Sequence, residues 1–239
     1  MKALILAAGL GSRLGDLTNN KPKALTKVAG KELISYVLDF LDHEQITQKA
    51  VVTGYQADKL KAYIQTHSAE TQILFNPNFK LGSIYTLETG LSFLDDDFLL
   101  INVDHIYPKR MLTSILNKAH GITAICDFDR TLVADDMKIK LANNSLLNIK
   151  KTLTDYDGGY IGMTYCAATH IGIYKEAIQE TKKIHGDLAP VEWVLQTLAN
   201  KQHKISICDV SGFGWLEVDN NDDLQQAENT LKTNKDFLK

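Results

Sequence analysis

The sequence predicts an α/β fold: a mainly parallel mixed sheet flanked by helices, with an antiparallel insertion in the C-terminal half. In the first half, short apolar runs of β type alternate with segments of helical spacing, which is typical of stacked βαβ units. From residue 137 two short runs around an Asn-Asn pair interrupt that alternation and predict a hairpin. The chain has 239 residues, 44% of them hydrophobic, and is long enough to bury a sizeable core.

The first half supplies five predicted strands and four predicted helices. Apolar residues at positions 33, 37, 40 and 41 share one helical face, and Leu60 with Ile64 indicates a second, shorter helix. Apolar positions 87, 91 and 94 predict a third helix, and a fourth covers Arg110 to Ala119. The predicted strands are Lys2 to Ala8, Lys49 to Tyr55, Thr71 to Asn76, Phe98 to Asp104 and Ile122 to Phe128.

The second half begins with the predicted hairpin, whose strands run from Met137 to Leu141 and from Leu146 to Lys150. We expect five further elements and then a tail over residues 233–239. No linker rich in Pro, Gly or Ser interrupts the chain, so we predict one domain over residues 1–239, with halves 1–130 and 131–232. The five elements are a strand, two helices, a strand and a helix, predicted at Cys166 to Tyr174, Glu176 to Lys183, Val191 to Lys201, Lys204 to Val210 and Asp222 to Leu231.

The charge balance excludes protein classes that depend on a broadly cationic surface. Lys and Arg total 26 against 29 Asp and Glu, a formal charge of -3, so we expect no nucleic-acid partner. The apolar runs fall far short of the ~20 residues that span a bilayer, and the run at 3–9 is too short for a signal peptide. We therefore predict a cytoplasmic protein without a membrane span. Three cysteines in apolar segments are predicted to be buried thiols: Cys126, Cys166 and Cys208.

The loop after the first predicted strand carries the residues of an anion site. Glycines let backbone N–H groups turn toward an anion, and cationic side chains add charge-assisted hydrogen bonds to phosphate oxygens at the end of a parallel strand. The dinucleotide pattern G-x-G-x-x-G fails because Leu14 stands at its third glycine, and no P-loop motif occurs. The loop predicts another kind of phosphate site, built on Gly9, Gly11, Ser12, Arg13, Lys21 and Lys23.

This stretch closely resembles the signature of the nucleotidyltransferases that make sugar and alcohol nucleotide diphosphates. That signature is Leu-Ala-Ala-Gly-x-Gly-[Ser/Thr]-Arg and then Lys-Pro, and the chain matches it over residues 6–13 and 21–22. The resemblance implies a Rossmann-like fold in which residues 1–130 bind the nucleotide and residues 131–232 the acceptor. It implies that Arg13 holds the β and γ phosphates and that Lys23 contacts the α phosphate, both as catalytic residues. The nucleotide-binding residues that it implies are Leu6, Ala8, Gly9, Gly11, Ser12, Gly54, Gly82, Ser83 and Asp104.

Two acidic positions far apart in the sequence are candidates for a metal site. Asp104 ends the buried run FLLINVD and so lies at the same sheet edge as the Gly-rich loop. Asp219 precedes the last predicted helix, where the run Asp-Asn-Asn-Asp-Asp is also typical of a helix N-cap. Mg²⁺ prefers hard oxygen ligands, and Glu217 and Asp222 are alternatives to Asp219 as the second one. The resemblance implies that Asp104 and Asp219 are the ligands of Mg²⁺.

The residues around Asp104 resemble one branch of that family. Where the sugar branch has Gly-Asp, this chain has Val-Asp followed by His105 and Tyr107, which is similar to cytidylyltransferases for phosphorylated alcohols such as inositol 1-phosphate. The stretches NPNFKLGSIYTLETGL and ADDMKIKL agree with that branch, and the first is also similar to phosphocholine cytidylyltransferases. The resemblance thus implies transfer of CMP from CTP to a small phosphorylated alcohol, with release of pyrophosphate. His105 itself is expected to be a structural histidine.

The acceptor side of the site is open between two chemistries. By resemblance Lys138 is expected to reach the acceptor phosphate, and Tyr107 and Trp215 to line the acceptor site. These aromatic residues, with Tyr160 and Tyr165, fit a choline-like cation. A polyol such as inositol needs polar partners instead, for which the candidates are Asp157, Thr169 and His170.

Three further matters are left open by the sequence. The nearest alternative enzyme is a uridylyl- or thymidylyltransferase for sugar 1-phosphates, because the base cannot be assigned from residue types. A different class is a nucleotide-binding regulatory protein without turnover. The oligomeric state is also open, a homodimer included.

Overall fold

Strands and helices alternate through the first half of the chain, and antiparallel strands follow. The computed structural model describes residues 1–18 and 20–239, without the side chains of residues 16 and 17. The strands are β1 (Lys2–Ala7), β2 (Lys27–Val28), β3 (Lys31–Glu32), β4 (Gln48–Thr53), β5 (Gln72–Phe75), β6 (Phe98–Asn102), β7 (His105–Ile106), β8 (Ile122–Asp127), β9 (Lys138–Ala142), β10 (Ser145–Lys150), β11 (Gly158–Cys166), β12 (Ser206–Asp209) and β13 (Leu216–Glu217). The α-helices are α1 (Leu33–Phe40), α2 (Ala57–His67), α3 (Ser83–Thr89), α4 (Lys109–Lys118), α5 (Ile171–His185), α6 (Trp193–Asn200) and α7 (Asn221–Thr233).

Nine of the described strands form one sheet. Its order is β10-β9-β11-β6-β1-β4-β5, with β8 pairing with β11 and β12 pairing with β8. β1 is parallel to β4 and β6, and β4 is parallel to β5, whereas β11 is antiparallel to β6, β8 and β9. The prediction of a mainly parallel mixed sheet flanked by helices is confirmed.

The hydrophobic core lies on both faces of this sheet because its central strand β1 is apolar on both. Leu4 and Leu6 enter one cluster, and Ala3, Ile5 and Ala7 enter the other, as expected for side chains that alternate along a strand. Helices α3, α5 and α6 cover the first face, and α1, α2 and α4 cover the second. This sandwich fixes the carboxyl end of β1, where the Gly-rich loop begins.

The antiparallel insertion forms where the Asn-Asn pair predicts it. β9 and β10 pair across a turn at Asn143 and Asn144, whose φ angles are 51° and 57°. Asparagine tolerates this left-handed conformation, which tight hairpin turns require. The sequence placed the strands of this hairpin within one residue of their observed ends.

The predicted strand from Cys166 to Tyr174 is wrong. The strand of this region is β11, which ends at Cys166, and α5 begins at Ile171. Ile171, Tyr174 and Ile178 follow helical spacing and are buried on one side of α5. In the sequence, the start of this helix also resembles a short apolar strand, which led to the wrong prediction. β11 itself contains three glycines, and because glycine is unfavourable in strands, residue propensities did not predict this strand.

The predicted tail over residues 233–239 is also wrong. α7 ends at Thr233, but Phe237 beyond it is only 7% exposed and packs in a third apolar cluster with Leu14 and Val218. The carbonyl groups of residues 238 and 239 accept hydrogen bonds from the start of α4, at 3.1 and 3.3 Å. A lone apolar pair after a helix gives no periodic signal, so only the tertiary structure reveals this packing.

Two small two-stranded sheets were not predicted. β2 pairs with β3, and β7 pairs with β13, which sets Glu217 opposite His105. Strands of two residues carry too few side chains for an alternation to be visible in sequence. The β7–β13 pair joins segments more than a hundred residues apart at the edge of the main sheet.

Two smaller predictions can be compared directly with the structure. The three cysteines are buried and free, as predicted. Among the described helices, none combines the length and apolarity needed to cross a bilayer.

Candidate active site

A cavity of about 540 Å³ lies at the carboxyl ends of β1 and β6. Ligands of open α/β sheets bind at this edge. The first half of the chain contributes residues 6–9, Arg13, Lys23 and residues 102–105 to its lining. The second half contributes residues 135–137, 151–152, 190–193 and positions 215, 217 and 219. Both ends of the sequence therefore meet in one pocket.

Lys23 joins the two acidic residues that the sequence singled out. It follows Pro22 in a single 3₁₀ turn, which directs its side chain into the cavity, where the residue is 9% exposed. Its Nζ donates to Asp104 Oδ2 at 2.7 Å and to Asp219 Oδ1. Burial alone lowers the pKa of this lysine, but the charges of Asp104 and Asp219 outweigh it and raise the pKa. Lys23 is therefore firmly cationic between two carboxylates.

Arg13 lies beside the same carboxylate. Its Nη2 is 2.8 Å from Asp219 Oδ2, and its Nη1 donates to Asp135. Asp135 is held from its other side by Lys151, whose Nζ lies 2.6 Å from Asp135 Oδ1. Burial opposes the charge of Arg13, yet Asp219 and Asp135 outweigh it and raise the pKa of the guanidinium. Asp135 and Asp219 therefore neutralise the charge of Arg13 in the Gly-rich loop.

Asp104, His105 and Glu217 form a second acidic group in the cavity. His105 Nδ1 lies 2.7 Å from Asp104 Oδ1, and its Nε2 lies 4.0 Å from Glu217 Oε1, across the β7–β13 pair. Although burial acts to raise the pKa of Asp104, Lys23 and His105 hold it well below its usual range. Burial raises the pKa of Glu217 to about 7, against the opposing charge of His105. His105 and Asp104 therefore both act on the Glu217 carboxyl, with opposite signs.

The cavity suits a divalent cation. Mg²⁺ takes hard oxygen ligands, and Asp104 and Asp219 already converge on one positive group, the ammonium of Lys23. One ligand atom each from Asp104, His105 and Glu217 also lie within 4.8 Å of one another. The lining carries twice as many carboxylates as Lys and Arg side chains, so a triphosphate gains from added positive charge. These groups are Asp104, Asp135, Asp136, Glu192, Glu217 and Asp219 against Arg13, Lys23 and Lys151.

Five of the residues expected to bind the nucleotide line the cavity, namely Leu6, Ala8, Gly9, Ser83 and Asp104. The other four, Gly11, Ser12, Gly54 and Gly82, do not. Gly11 has φ +66°, and a Cβ there would lie 2.9 Å from Lys23 Cβ, so its small size lets the loop pack against that lysine. A Cβ on Gly54 would lie 2.7 Å from the Ala8 carbonyl oxygen. The absence of a side chain at Gly11 and Gly54 therefore allows close packing against Lys23 and Ala8.

Of the three residues expected to bind the acceptor, Trp215 lines the cavity, and Lys138 and Tyr107 do not. Lys138 is buried outside the cavity lining, and its Nζ donates to four backbone carbonyls between residues 133 and 151. Tyr107 is 2% exposed, and its hydroxyl donates to the Ile161 carbonyl. Trp215 does line the cavity, but Arg130 lies 3.8 Å from its ring centroid and His105 stacks on it. Lys138 and Tyr107 therefore make contacts within the protein, and their binding of an acceptor stays a prediction.

Several residues that line the cavity were given no role by the sequence analysis. Asp135 and Lys151 lie in loops with no periodic pattern, and Glu192 and Trp193 lie at the start of α6, which looked like an ordinary helix. The signal that could have found Lys151 is its position directly after the hairpin strand β10. The N-cap of α7 is Asn220, within the run Asp-Asn-Asn-Asp-Asp, and the Asp223 carboxylate completes a capping box.

The family follows from comparison with known proteins. The family model described as the MobA-like NTP transferase domain matches residues 3–137 of the chain. The chain belongs to this family. The prediction of a nucleotidyltransferase is thereby confirmed, and the signature residues of the Gly-rich loop lie within the matched part.

Curated relatives of this MobA-like NTP transferase match nearly its whole length. A bifunctional IPC transferase and DIPP synthase of Aquifex aeolicus is 29% identical over 232 residues, 96% of this chain and 51% of the relative. A CTP:phosphoglutamine cytidylyltransferase of Campylobacter jejuni is 25% identical, with 94% of this chain and 98% of the relative covered. The chain spans about half the length of the bifunctional relatives.

Solved structures share the fold. The inositol-1-phosphate CTP transferase of T. maritima superposes with a TM-score of 0.82 at 19% identity, with 98% of this chain and 96% of that chain covered. A CTP:phosphocholine cytidylyltransferase of Streptococcus pneumoniae gives a TM-score of 0.77 at 23% identity, with 96% and 98% covered. The Rossmann-like nucleotidyltransferase fold of this family member is therefore established.

Proposed function

We propose that the protein is a Mg²⁺-dependent cytidylyltransferase that transfers CMP from CTP to a small phosphorylated alcohol and releases pyrophosphate. The observation that carries the proposal is the convergence of Arg13, Lys23, Asp104 and Asp219 in one cavity. Two cations come from the Gly-rich loop region and two carboxylates from remote strand ends. This is the charge arrangement that a triphosphate and a divalent ion need.

Transfer requires no side-chain nucleophile. A phosphate monoester is already ionised near neutral pH, so its oxygen attacks the α-phosphorus while pyrophosphate leaves in line. The protein must align two anions that repel each other and offset charge on the transferring group. Lys23 supplies a buried positive charge for the α phosphate, and Arg13 supplies one for the β and γ phosphates.

Asp104 and Asp219 would hold Mg²⁺, with Glu217 close to Asp104. The ion would neutralise charge on the triphosphate when bound. Arg13 and Lys23 now contact these carboxylates directly. We infer that on binding CTP both cations turn from carboxylate to phosphate oxygens.

The choice of CTP rests on relatives and on the residues around Asp104. The Campylobacter jejuni relative of matching length is named for CTP and phosphoglutamine, a phosphorylated acceptor. The run Val-Asp-His at residues 103–105 resembles that of cytidylyltransferases for phosphorylated alcohols. Both arguments favour cytidylyl transfer over uridylyl or thymidylyl transfer to sugar 1-phosphates.

The proposal is tested by pyrophosphate release with Mg²⁺, each of CTP, UTP and dTTP, and a panel of phosphorylated alcohols and sugars. We expect turnover with CTP, abolished by chelation of the metal and by Lys23→Ala. The matched control is Lys61→Ala, because Lys61 is exposed on α2 and distant from the cavity lining.

Two results would contradict the proposal. Turnover with UTP or dTTP and a sugar 1-phosphate, in preference to CTP, would assign the protein to the other branch. Binding of CTP without pyrophosphate release for any acceptor would favour a nucleotide-binding regulatory protein.

A further inference from the structure

A buried carboxylate outside the cavity lining contacts one of the aromatic residues that line it. Asp127, the last residue of β8, is 2% exposed, and its Oδ2 accepts a hydrogen bond from Trp215 Nε1 at 2.8 Å. Its Oδ1 accepts from the N–H groups of Asp129 and Arg130, at 2.9 and 3.3 Å. Although burial acts to raise the pKa of Asp127, these hydrogen bonds lower it. Asp127 is therefore an ionised acceptor for one indole N–H.

The Trp215 indole is held by two further neighbours. The Arg130 guanidinium carbon lies 3.8 Å from the ring centroid, a cation–π contact, and Arg130 Nη1 donates to the Trp215 carbonyl at 3.4 Å. His105 stacks on the indole, with ring centroids 5.3 Å apart and ring planes at 22°. An indole has a single N–H donor, so its hydrogen bond to Asp127 fixes the orientation of the ring. Trp215 therefore presents a fixed surface to His105.

The His105 imidazole is enclosed on its other sides as well. It stacks on Tyr107, with centroids 5.6 Å apart and planes at 13°. A Cβ on Gly162 would lie 2.8 Å from His105 Cε1 and 3.0 Å from its Nε2, so β11 approaches the imidazole at a residue without a side chain. The side chain of His105 is only 5% exposed. Its orientation is therefore determined by the rings and backbone around it.

This orientation is passed on to the Asp104 carboxylate. His105 Nδ1 lies 2.7 Å from Asp104 Oδ1, whereas Asp104 Oδ2 accepts from Lys23 Nζ at 2.7 Å. When a neighbour holds one oxygen of a carboxylate, the direction of the other oxygen is fixed too. Groups that hold a metal-binding carboxylate in this way typically change metal affinity or activity by about 10- to 100-fold.

We propose that Asp127 is a positioning residue of the active site, which acts through Trp215 and His105 to fix the orientation of Asp104. This inference rests on the proposed function, in which Asp104 holds Mg²⁺. Asp127 contacts neither the substrates nor the ion. Its effect passes through one hydrogen bond, one ring stack and a second hydrogen bond.

A double-mutant cycle tests this path. Asp127→Asn keeps the size of the side chain and removes its charge, and Trp215→Phe keeps an aromatic ring and removes the indole N–H. We expect Asp127→Asn to raise the Mg²⁺ concentration for half-maximal activity about fivefold, less than the loss of a direct neighbour of a metal ligand. In Trp215→Phe, the same substitution should change that concentration by less than about twofold, because the N–H through which Asp127 acts is absent.

The free protein provides a readout that needs neither turnover nor a bound ion. The NMR signals of histidine ring nitrogens report their protonation and hydrogen bonding, and those of His105 are assigned by their loss in His105→Asn. We expect Asp127→Asn and Trp215→Phe each to shift the His105 Nδ1 signal. The double variant should shift it no further than Trp215→Phe alone.

Asp209→Asn is the matched control. Asp209 ends β12, which pairs with β8, and its Oδ1 accepts from the N–H of Ser211, two residues further on, at 2.8 Å. Asp127 holds the N–H of Asp129 in the same way. Asp209 is exposed and lies outside the cavity lining. We expect this variant to keep the Mg²⁺ requirement and the His105 signals of the wild type.

A purely structural role of Asp127 gives a different result. The proposal is overturned if Asp127→Asn lowers the urea midpoint without changing the Mg²⁺ requirement, or if its effect is as large in Trp215→Phe as in the wild type. If Asp127→Asn does not fold, Trp215→Phe decides by the His105 Nδ1 signal, where a shift supports the inference and an unchanged signal overturns it.

A failure of the proposed function is visible separately, since no acceptor would then release pyrophosphate. The His105 signals of the free protein still decide the inference in that case. A shift in Asp127→Asn that is absent when the substitution is made in Trp215→Phe supports it. An unchanged signal, or equal shifts in both backgrounds, overturns it.

Discussion

The buried ammonium of Lys138 shows how a single residue can be conspicuous in sequence for a structural reason. Its Nζ donates to the carbonyls of Val133, Ala134, Asp136 and Lys151, at 2.7 to 3.3 Å. These bonds tie the loop before β9 to the end of β10. A buried carbonyl left without a donor is costly, so one charged side chain stabilises the whole loop.

We predict that Lys138→Met lowers the free energy of unfolding by about 2 kcal/mol, because hydrogen bonds to a charged donor are lost inside the protein. Urea denaturation measures this. The acceptor KM should change much less than in Lys151→Met, because Lys151 lines the cavity and Lys138 does not. A raised acceptor KM with unchanged stability would show that Lys138 binds the acceptor.

At the same scale, the sequence could indicate some cavity residues and not others. Arg13, Lys23 and Asp104 stand in a motif or at a strand end, where type and position together carry information. Asp135 lies in the stretch ADDMKIKL, which resembles one branch of the family but gives Asp135 no role, and Glu192 stands in no pattern, since a helix start brings it to the cavity. Their roles depend on distances that only the tertiary structure supplies.

At the scale of the elements, the position of residues 187–190 depends on Gly82, which lies in another loop. The Gly82 N–H donates to the Asp187 carbonyl at 2.7 Å, and a Cβ on Gly82 would lie 2.7 Å from the Ala189 nitrogen. Only the absence of a side chain allows this approach. The contact positions the backbone that leads to Glu192.

We predict that Gly82→Ala destabilises the protein by about 1–3 kcal/mol, since packed backbone must move to admit the methyl group. It should also raise the KM of a substrate, because the displaced segment leads to residues 190–193, which line the cavity. Gly172→Ala is the control, because a Cβ on that α5 glycine meets nothing within 4 Å. We expect the control to gain up to ~1 kcal/mol from helix propensity. Equal urea midpoints for the two variants would contradict the argument.

The capping box of α7 is an element-scale device next to the acidic centre. Asn220 Oδ1 accepts hydrogen bonds from the N–H groups of Asp222 and Asp223, at 2.9 and 3.0 Å. The Asp223 carboxylate accepts from the Asp219 N–H at 3.0 Å. The cap therefore orders the backbone of Asp219, whose side chain points to Lys23.

We predict that Asn220→Ala costs about 1 kcal/mol of stability, the usual effect of losing an N-cap. Because the cap also orders Asp219, the Mg²⁺ concentration for half-maximal activity should rise. Thr233→Ala at the other end of α7 provides the comparison, since the Thr233 hydroxyl donates to the Asn229 and Thr230 carbonyls within the same helix. An unchanged Mg²⁺ requirement in Asn220→Ala would separate the cap from the metal site.

The elements differ in how far they could be predicted. β1, β4 and β6 are long apolar runs buried by helices on both faces, so their sequences alone indicate strands. β7 and β13 have two residues each and exist only because they pair with each other. Their pairing places Glu217 beside His105. Because strands this short cannot be predicted, the sequence did not show that Asp104, His105 and Glu217 lie together.

At the scale of the whole molecule, the third apolar cluster joins four separate segments of the chain. It combines Leu14 beside Arg13, Ile106 after His105, Val218 before Asp219, and Phe237 near the C-terminal end. Leu14, Ile106 and Val218 are thus next in sequence to three residues that line the cavity. The cluster therefore connects the Gly-rich loop to the two strand ends that face it, and the segment after α7 completes it.

Phe237→Ala tests whether this cluster aligns the cavity. Phe237 is 7% exposed, so its truncation should cost about 3 kcal/mol or more in urea denaturation. Because the cluster that contains Leu14 and Val218 loses one of its buried side chains, Arg13 and Asp219 should be held less firmly, and the KM for CTP should rise in the folded variant. Leu147→Ala is the control, since Leu147 is 47% exposed on β10 and belongs to no core cluster. A stability loss without any change in the KM for CTP would show that the cluster supports the fold but does not align the nucleotide site.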